Sequence, residues 1–192
     1  MSRRLEDHYR ALLLEHGDSH LAAQYSSRKS QFLRFASLAR IADVSGLRVL
    51  DFGCGAAALG QYLLGVGQVP SLYHGVDIVT DFFDTARRNV PTGRFSHPDE
   101  LGEERFDVAF ISGVFNNRRR ANRTFWKETV SSLFDRCDIG VAFNLMSTYV
   151  DYRDPALFYE EPEAAFRYVK EHVTPYVSLS HNYLLKSDSV PF

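Results

Sequence analysis

The chain has 192 residues, a formal charge of −2, 45% hydrophobic and 24% charged residues, and fifteen Phe and ten Tyr. That length suits one domain with a sizeable core, and the composition excludes an intrinsically disordered chain. The near-zero charge provides no global field for nucleic acid or an anionic membrane, so a small, roughly neutral partner fits better.

Leu5 to His16 has Leu5, Tyr9, Leu12 and Leu13 near helical spacing, and the polar stretch ending in SSRKS breaks that helix. The apolar run Leu12 to Leu14 is too short for a signal peptide or a membrane span. A second helix is expected over 30–43, where Phe35, Leu38, Ile41 and Ala42 share a face. From Leu47 short apolar runs alternate with amphipathic segments, the pattern of βαβ units and a parallel sheet. Strands are expected at LRVLDF, SLYHGVDI, GRFS, FDVAFIS (106–112), DIGVAFNLM (138–146) and PYVSLSHNYLL (175–185). Thr80 suits the N-cap of the helix after Asp77, with Arg87 and Arg88 in its last turn. Trp126, Val130, Leu133 and Phe134 form the stripe of a later helix, and EPEAAFRYVKEHV (161–173) forms the last one. The two cysteines, Cys54 and Cys137, form no CxxC and read as reduced thiols, so a cytoplasmic protein is expected.

The string RVLDFGCGAAALG (48–60) carries the chemistry. Asp51 stands near the end of a buried strand, and Gly53 and Gly55 open the turn into a helix, where a backbone without Cβ lets a ligand approach free N–H groups. Asp77 ends the next apolar strand, where an acid can accept hydrogen bonds from both ribose hydroxyls of an adenosine. A dinucleotide fingerprint would require Gly at position 58, which is Ala.

VLDFGCG, GVDI and FDVAFISG resemble the first, second and fourth motifs of class I S-adenosylmethionine-dependent methyltransferases, over roughly residues 30–145. The resemblance implies a Rossmann-like three-layer αβα sandwich with a mostly parallel sheet. It also implies S-adenosyl-L-methionine as cofactor, N-terminal helices and lid over 1–45, and a core over 46–192. Asp51 would lie near the methionine amino group, Gly53, Cys54 and Gly55 in the cofactor loop, Asp77 at the ribose and Ile78 against the adenine. Ser112 and Gly113 would close the site, and Asp99 would meet the adenine amino group. Tyr25, Ser30, Gln31 and Arg34 fall where many small-molecule members have a lid. Arg34 either pairs with the cofactor carboxylate or is a solvated helix arginine. Many members carry Gly where this chain has Ala57, a substitution the loop is expected to tolerate. The family's final antiparallel strand would begin where the sequence stops, and it is therefore expected to be short or missing.

Ligands in open α/β sheets gather beyond the carboxyl ends of the strands, which makes Asn116, Asn117, Asn144 and Tyr149 the substrate-side candidates. SGVFNN departs from the Asn/Asp-Pro-Pro-aromatic turn of many nucleic-acid and amide nitrogen methyltransferases. Arg118 to Arg120, with Arg123 and Lys127, form either an anion site or the solvated start of a helix. Tyr152, Phe158, Tyr159, Phe166, Tyr168 and Tyr176 either wall a pocket or fill core, and His181 is either a base or a surface histidine. None of the seven histidines has metal-ligand spacing with Cys or acids. Methyl transfer to a small molecule, such as to oxygen of a sugar or other metabolite, is the leading expectation. The rivals are a non-catalytic S-adenosylmethionine sensor or partner subunit, and another nucleotide-binding Rossmann enzyme.

Overall fold

The computed structural model describes residues 2–17, 19–22, 24 and 27–182. Two helices come first, α1 (Ser2–His16) and α2 (Arg28–Leu38), the latter running on into a 3-10 turn at Ala39–Ile41. Ser27 caps α2, its Oγ accepting from the Ser30 N–H at 3.1 Å. Helix α2 thus starts one turn's fraction earlier than the apolar stripe suggests, because a capping hydroxyl rather than the first apolar residue sets its start.

Among the described residues the sheet has five strands, β1 (Arg48–Phe52), β2 (Leu72–Val76), β3 (Arg94–Ser96), β4 (Phe106–Ile111) and β5 (Cys137–Phe143), in the order β3-β2-β1-β4-β5. Every neighbouring pair is parallel. Helices α3 (Ala58–Gly65), α4 (Phe83–Asn89) and α5 (Asn122–Phe134) make the crossovers. Such a sheet needs cover on both faces, and two apolar clusters provide it. One face packs Leu50, Val76, Ala109 and Ile111 against Trp126, Val130 and Leu133 of α5 and Ala165 and Val169 of α6 (Pro162–His172). The other packs Val49, Val108 and Phe110 against Leu59 and Leu63 of α3, Ala86 of α4 and Phe35 and Leu38 of α2. Of the α5 stripe, Trp126, Val130 and Leu133 are buried as the spacing predicts, whereas Phe134 is not among the buried residues.

Three expectations are corrected. Thr80 is not an N-cap: it opens a 3-10 turn (Thr80–Phe82) that leads into α4, and the side chain accepting a backbone N–H there is Asp77, whose Oδ1 takes Val79 N–H at 2.8 Å. Strand 138–146 ends at Phe143, because the Asn144 amide turns aside to hold the loop after β4, and the two residues Met146–Ser147 (β6) pair instead with Tyr159–Glu160 (β7). No strand forms over 175–182, and the rest of the expected 175–185 strand lies outside the described residues. Local bonds compete with a ladder there: Lys170 Nζ donates to Pro175 O, Tyr176 N–H to Thr174 Oγ1 and Ser180 Oγ to Asn182. Only Val177 reaches the core, while Tyr176 is 91% exposed.

Among the described residues no helix is long and apolar enough to cross a membrane. A buried acid, Glu160, ties the last helical layer to α5 by accepting from Trp126 Nε1 at 3.1 Å and pairing with Arg123 at 3.0 Å. Arg123 is therefore committed to the fold, and Lys127 lies over the Tyr168 ring, 4.4 Å from its centroid.

Candidate active site

The strand order reverses between β1, which pairs with β2 on one side, and β4 on the other, so the loops leaving β1 and β4 diverge at the sheet's carboxyl edge and leave a crevice. A cavity of about 1430 Å³ opens there. Its floor is Asp51, Gly53, Cys54, Gly55 and Ala56, one side is Val76, Asp77 and Ile78, and the other is Ser112, Gly113 and Val114. His8 and Tyr9 of α1 and Arg28, Gln31, Phe32 and Phe35 of α2 form the roof.

The loop after β1 takes its shape from three consecutive demands. Gly53 has φ +78, and a Cβ built on it would meet Val114 Cγ2 at 2.3 Å, so glycine is required on both backbone and packing grounds. Its N–H and that of Cys54 both donate to Val76 O, at 2.8 and 3.0 Å, which pins the loop to β2. Gly55 has φ +50, and a Cβ there would meet nothing within 4 Å, so its open side belongs to the cavity. Ala57 also adopts the left-handed conformation, φ 58 and ψ 36, at the N-cap of α3. The loop does accept alanine there, at a conformational cost of about 1–2 kcal/mol that its fully buried methyl offsets in part.

Asp77 organises the floor. Its Oδ2 accepts the Gly55 N–H at 2.8 Å and its Oδ1 the Val79 N–H at 2.8 Å. Burial raises its pKa, and the backbone hydrogen bonds oppose that rise. Each carboxylate oxygen accepts more than one bond, so Asp77 retains capacity toward a ligand. Asp51 is buried and accepts a hydrogen bond from the Tyr73 hydroxyl. Desolvation pushes its pKa up to about 7, the Tyr73 bond opposes the rise and the Asp77 charge adds to it. Half-protonated near neutrality, Asp51 is a carboxylate that a bound cation would restore to full charge. Burial drives the Cys54 thiol well above its usual range, so Cys54 lines the cavity as an apolar group rather than a nucleophile.

The loop after β4 is fixed by two asparagines. Asn144 Oδ1 accepts the Gly113 N–H at 2.9 Å, and its Nδ2 donates to Ser112 Oγ at 3.4 Å. Asn122 Oδ1 accepts the Arg119 N–H at 2.6 Å while its Nδ2 donates to Asn117 O at 2.8 Å. Asn117 Nδ2 in turn donates to the Tyr9 hydroxyl at 2.7 Å, joining this loop to the roof.

The structure brings together Gln31, Asp51, Gly53, Cys54, Gly55, Asp77, Ile78, Ser112, Gly113 and Asn117 from the sequence candidates. Tyr25 lies outside the described residues. Arg34 does not line the cavity: the α2 face that does so is Arg28, Gln31, Phe32 and Phe35, at i, i+3, i+4, i+7 spacing, and Arg34 falls off that stripe. Asp99 points to solvent with a side chain 90% exposed and pairs with His97, while Pro98 takes the place at the cavity wall. Asn116 accepts the Phe158 N–H through its backbone and stays outside. Asn144 supports the Ser112–Gly113 turn from behind, and Tyr149, 64% exposed, donates to Glu163 away from the site. Of the basic run, Arg118 and Arg119 line the cavity and Arg120 does not. Of the aromatic set Tyr152, Phe158, Tyr159, Phe166, Tyr168 and Tyr176, none lines it; Phe158 and Tyr168 pack on the core. His181 bonds Ser147 at 2.8 Å, also away from the cavity. Sequence reasoning missed Tyr9, Phe32 and Phe125 as wall residues, and of the three only Tyr9 is placed by it, among the apolar positions of the first helix. Among the described residues no group of three or more His, Cys, Asp or Glu has metal-holding geometry.

No protein-family model matches the chain, and no curated protein matches it. Solved structures do. A methyltransferase from Thiobacillus denitrificans, described as S-adenosylmethionine-dependent and in complex with S-adenosyl-L-homocysteine, aligns with a TM-score of 0.51 at 20% identity, over 70% of this chain and 62% of that one. The pyocyanin biosynthetic protein PhzM aligns at 0.56 and 15% identity, over 85% and 55%. A precorrin-6y C5,15-methyltransferase from Geobacter metallireducens aligns at 0.52 and 13%, over 77% and 72%. The chain thus spans 55% to 72% of the length of these structures. It has their Rossmann-like α/β fold, a mostly parallel sheet with helices on both faces.

Proposed function

We propose that the chain is an S-adenosylmethionine-dependent methyltransferase acting on a small molecule. The observation that carries this reading is the β1 loop: a backbone bare of Cβ at Gly55, tied by its N–H to Asp77, the acid that directly follows β2, with a second acid, Asp51, buried below it. These residues fit the cofactor. Its ammonium group would offset the unfavourable burial of Asp51, Asp77 would take the ribose hydroxyls, and Ile78 and Phe82 offer an apolar face for the adenine. When bound, the cofactor supplies an electrophilic methyl group on a sulfonium.

The chain's own part is to bind, orient and exclude water. Proximity and alignment suffice for an in-line displacement, and a base is required only when the nucleophile must lose a proton. The roof formed by α1 and α2 covers the reacting region, and the Tyr9 hydroxyl and the Asn117 amide face the cavity on the acceptor side. Its volume of about 1430 Å³ exceeds the roughly 300–1,000 Å³ of a typical single-ligand pocket, which supports room for a cofactor and a small acceptor together.

The test is turnover. S-adenosylhomocysteine formation with members of a broad metabolite panel is the expected result. Tight cofactor binding without turnover across that panel would favour a sensor or partner subunit instead.

A further inference from the structure

The basic residues after β4 divide into two groups with different fates. Arg123 is neutralised by Glu160, whereas Arg119 forms no ion pair among the described residues. Its Nε is buried without a hydrogen-bond partner, and its guanidinium carbon lies 4.2 Å from the Phe125 ring centroid, in the cavity wall. Among the described residues the acids that share the cavity are Asp51 and Asp77, and both are engaged elsewhere, by the Tyr73 hydroxyl and by the Gly55 and Val79 N–H groups. The position is built. Asn122, buried at the start of α5, grips the Arg119 N–H and the Asn117 carbonyl at once, and Phe125 supports the guanidinium plane and rests on Phe115.

A cation partly removed from water, held against an aromatic face and left with an unsatisfied donor is costly unless something anionic meets it. Arginine's planar fork suits a carboxylate or a phosphate. Burial lowers the Arg119 pKa, the direction expected of a cation short of solvation. Arg118 lines the cavity beside it, its Nε donating to Leu157 O at 3.3 Å, and adds a second positive charge.

The geometry points to Arg119 as the binding residue for an anionic group, a carboxylate or phosphate, on the methyl acceptor. This rests on the methyltransferase reading for the word acceptor; the anion site itself stands on the geometry alone. It narrows the substrate to small anionic metabolites and gives a reason for an arginine pair in the wall of a cavity whose floor carries acids.

The experiment is a ligand-observed NMR titration of the protein, alone and saturated with S-adenosylhomocysteine, using benzoate, phenyl phosphate and the neutral benzamide as probes. At least one anion is expected to bind at least tenfold more tightly than benzamide, and the stronger of the two identifies the anion class. Arg119→Met should abolish that preference while leaving S-adenosylhomocysteine affinity unchanged, and Arg119→Lys should restore part of it. Equal binding of benzamide and both anions, or no anion binding, overturns the inference. So does an Arg119→Met protein that loses S-adenosylhomocysteine and keeps benzoate, since the partner of Arg119 would then be the cofactor's carboxylate. Were Arg119→Met not to fold, the wild-type preference and Arg119→Lys decide. Failure of the cofactor to bind at all would count against the methyltransferase reading, and the titration of the protein alone would still decide the anion site.

Discussion

Adding one methyl group at Gly53 or at Gly55 separates what the loop needs to fold from what it needs to bind. Both glycines have positive φ, so alanine costs about 1–2 kcal/mol of strain at either position. At Gly53 the new Cβ would also overlap Val114 Cγ2, at 2.3 Å, and overpacking of that kind adds about 1–3 kcal/mol. Gly53→Ala should therefore lose about 2–5 kcal/mol, or roughly 4–20 °C in Tm for a chain of this size. At Gly55 no protein atom lies within 4 Å of the new Cβ, so only the strain remains, about 2–8 °C. The methyl would stand in the cavity, however, against any ligand that uses the loop. If the collision costs about 1–3 kcal/mol, Gly55→Ala should weaken S-adenosylhomocysteine binding about 5- to 150-fold in calorimetry while the protein still unfolds cooperatively. A Gly55→Ala protein with wild-type affinity would refute the assignment of that open side to the cofactor. A Gly53→Ala protein as stable as the wild type would refute the packing account.

Asp51 makes stability fall with pH. Its folded pKa, about 7, lies above the unfolded value of 3.8, so the native state holds the proton more tightly and the contribution present below pH 4 is lost as pH rises through 7. Asp51→Asn should thus gain stability relative to wild type at pH 8, on the order of 2–4 kcal/mol at most, and little at pH 4; urea denaturation at the two pH values checks it. Because a bound ammonium would favour the ionised carboxylate, wild-type S-adenosylhomocysteine affinity should rise between pH 6 and 8, a slope that Asp51→Asn should flatten. Asp77→Ala leaves the Gly55 and Val79 N–H groups without their acceptor and should cost about 1–3 kcal/mol in stability as well as weakening the cofactor, by denaturation and calorimetry respectively. Ala57→Gly relieves left-handed strain but gives up a buried methyl and adds backbone entropy to the unfolded chain, so its denaturation midpoint should stay within about 1 kcal/mol of wild type.

The parallel sheet and the glycine loop were legible because each writes itself into contiguous residues. Val49 and Leu50 read as buried strand, Gly53 and Gly55 as a turn, and Asp77 as the next strand's end. The site's roof was legible as a helical lid with Gln31 among its residues, but its inward face was not. Which face of α2 turns inward depends on its packing against β1 and α3, and that phase put Arg28 and Phe32 beside Gln31 over the cavity and left Arg34 outside it. Asn144 looks like a ligand-binding amide in the sequence, yet it spends its polar atoms on a neighbouring loop, as Asn122 does, since a sharp turn after a buried strand leaves backbone groups that something must satisfy. Tyr9 and Asn117 are far apart in the chain, and nothing local links them. The segment 175–182 was misread as a strand because partial alternation says nothing about whether a partner strand is available.

Isothermal titration of the wild-type chain with S-adenosylhomocysteine, with NAD as the control, tests the central claim most directly. One-to-one binding of S-adenosylhomocysteine, weakened by Asp77→Ala and by Gly55→Ala, is the predicted result. Binding of NAD with no response to S-adenosylhomocysteine would contradict the account.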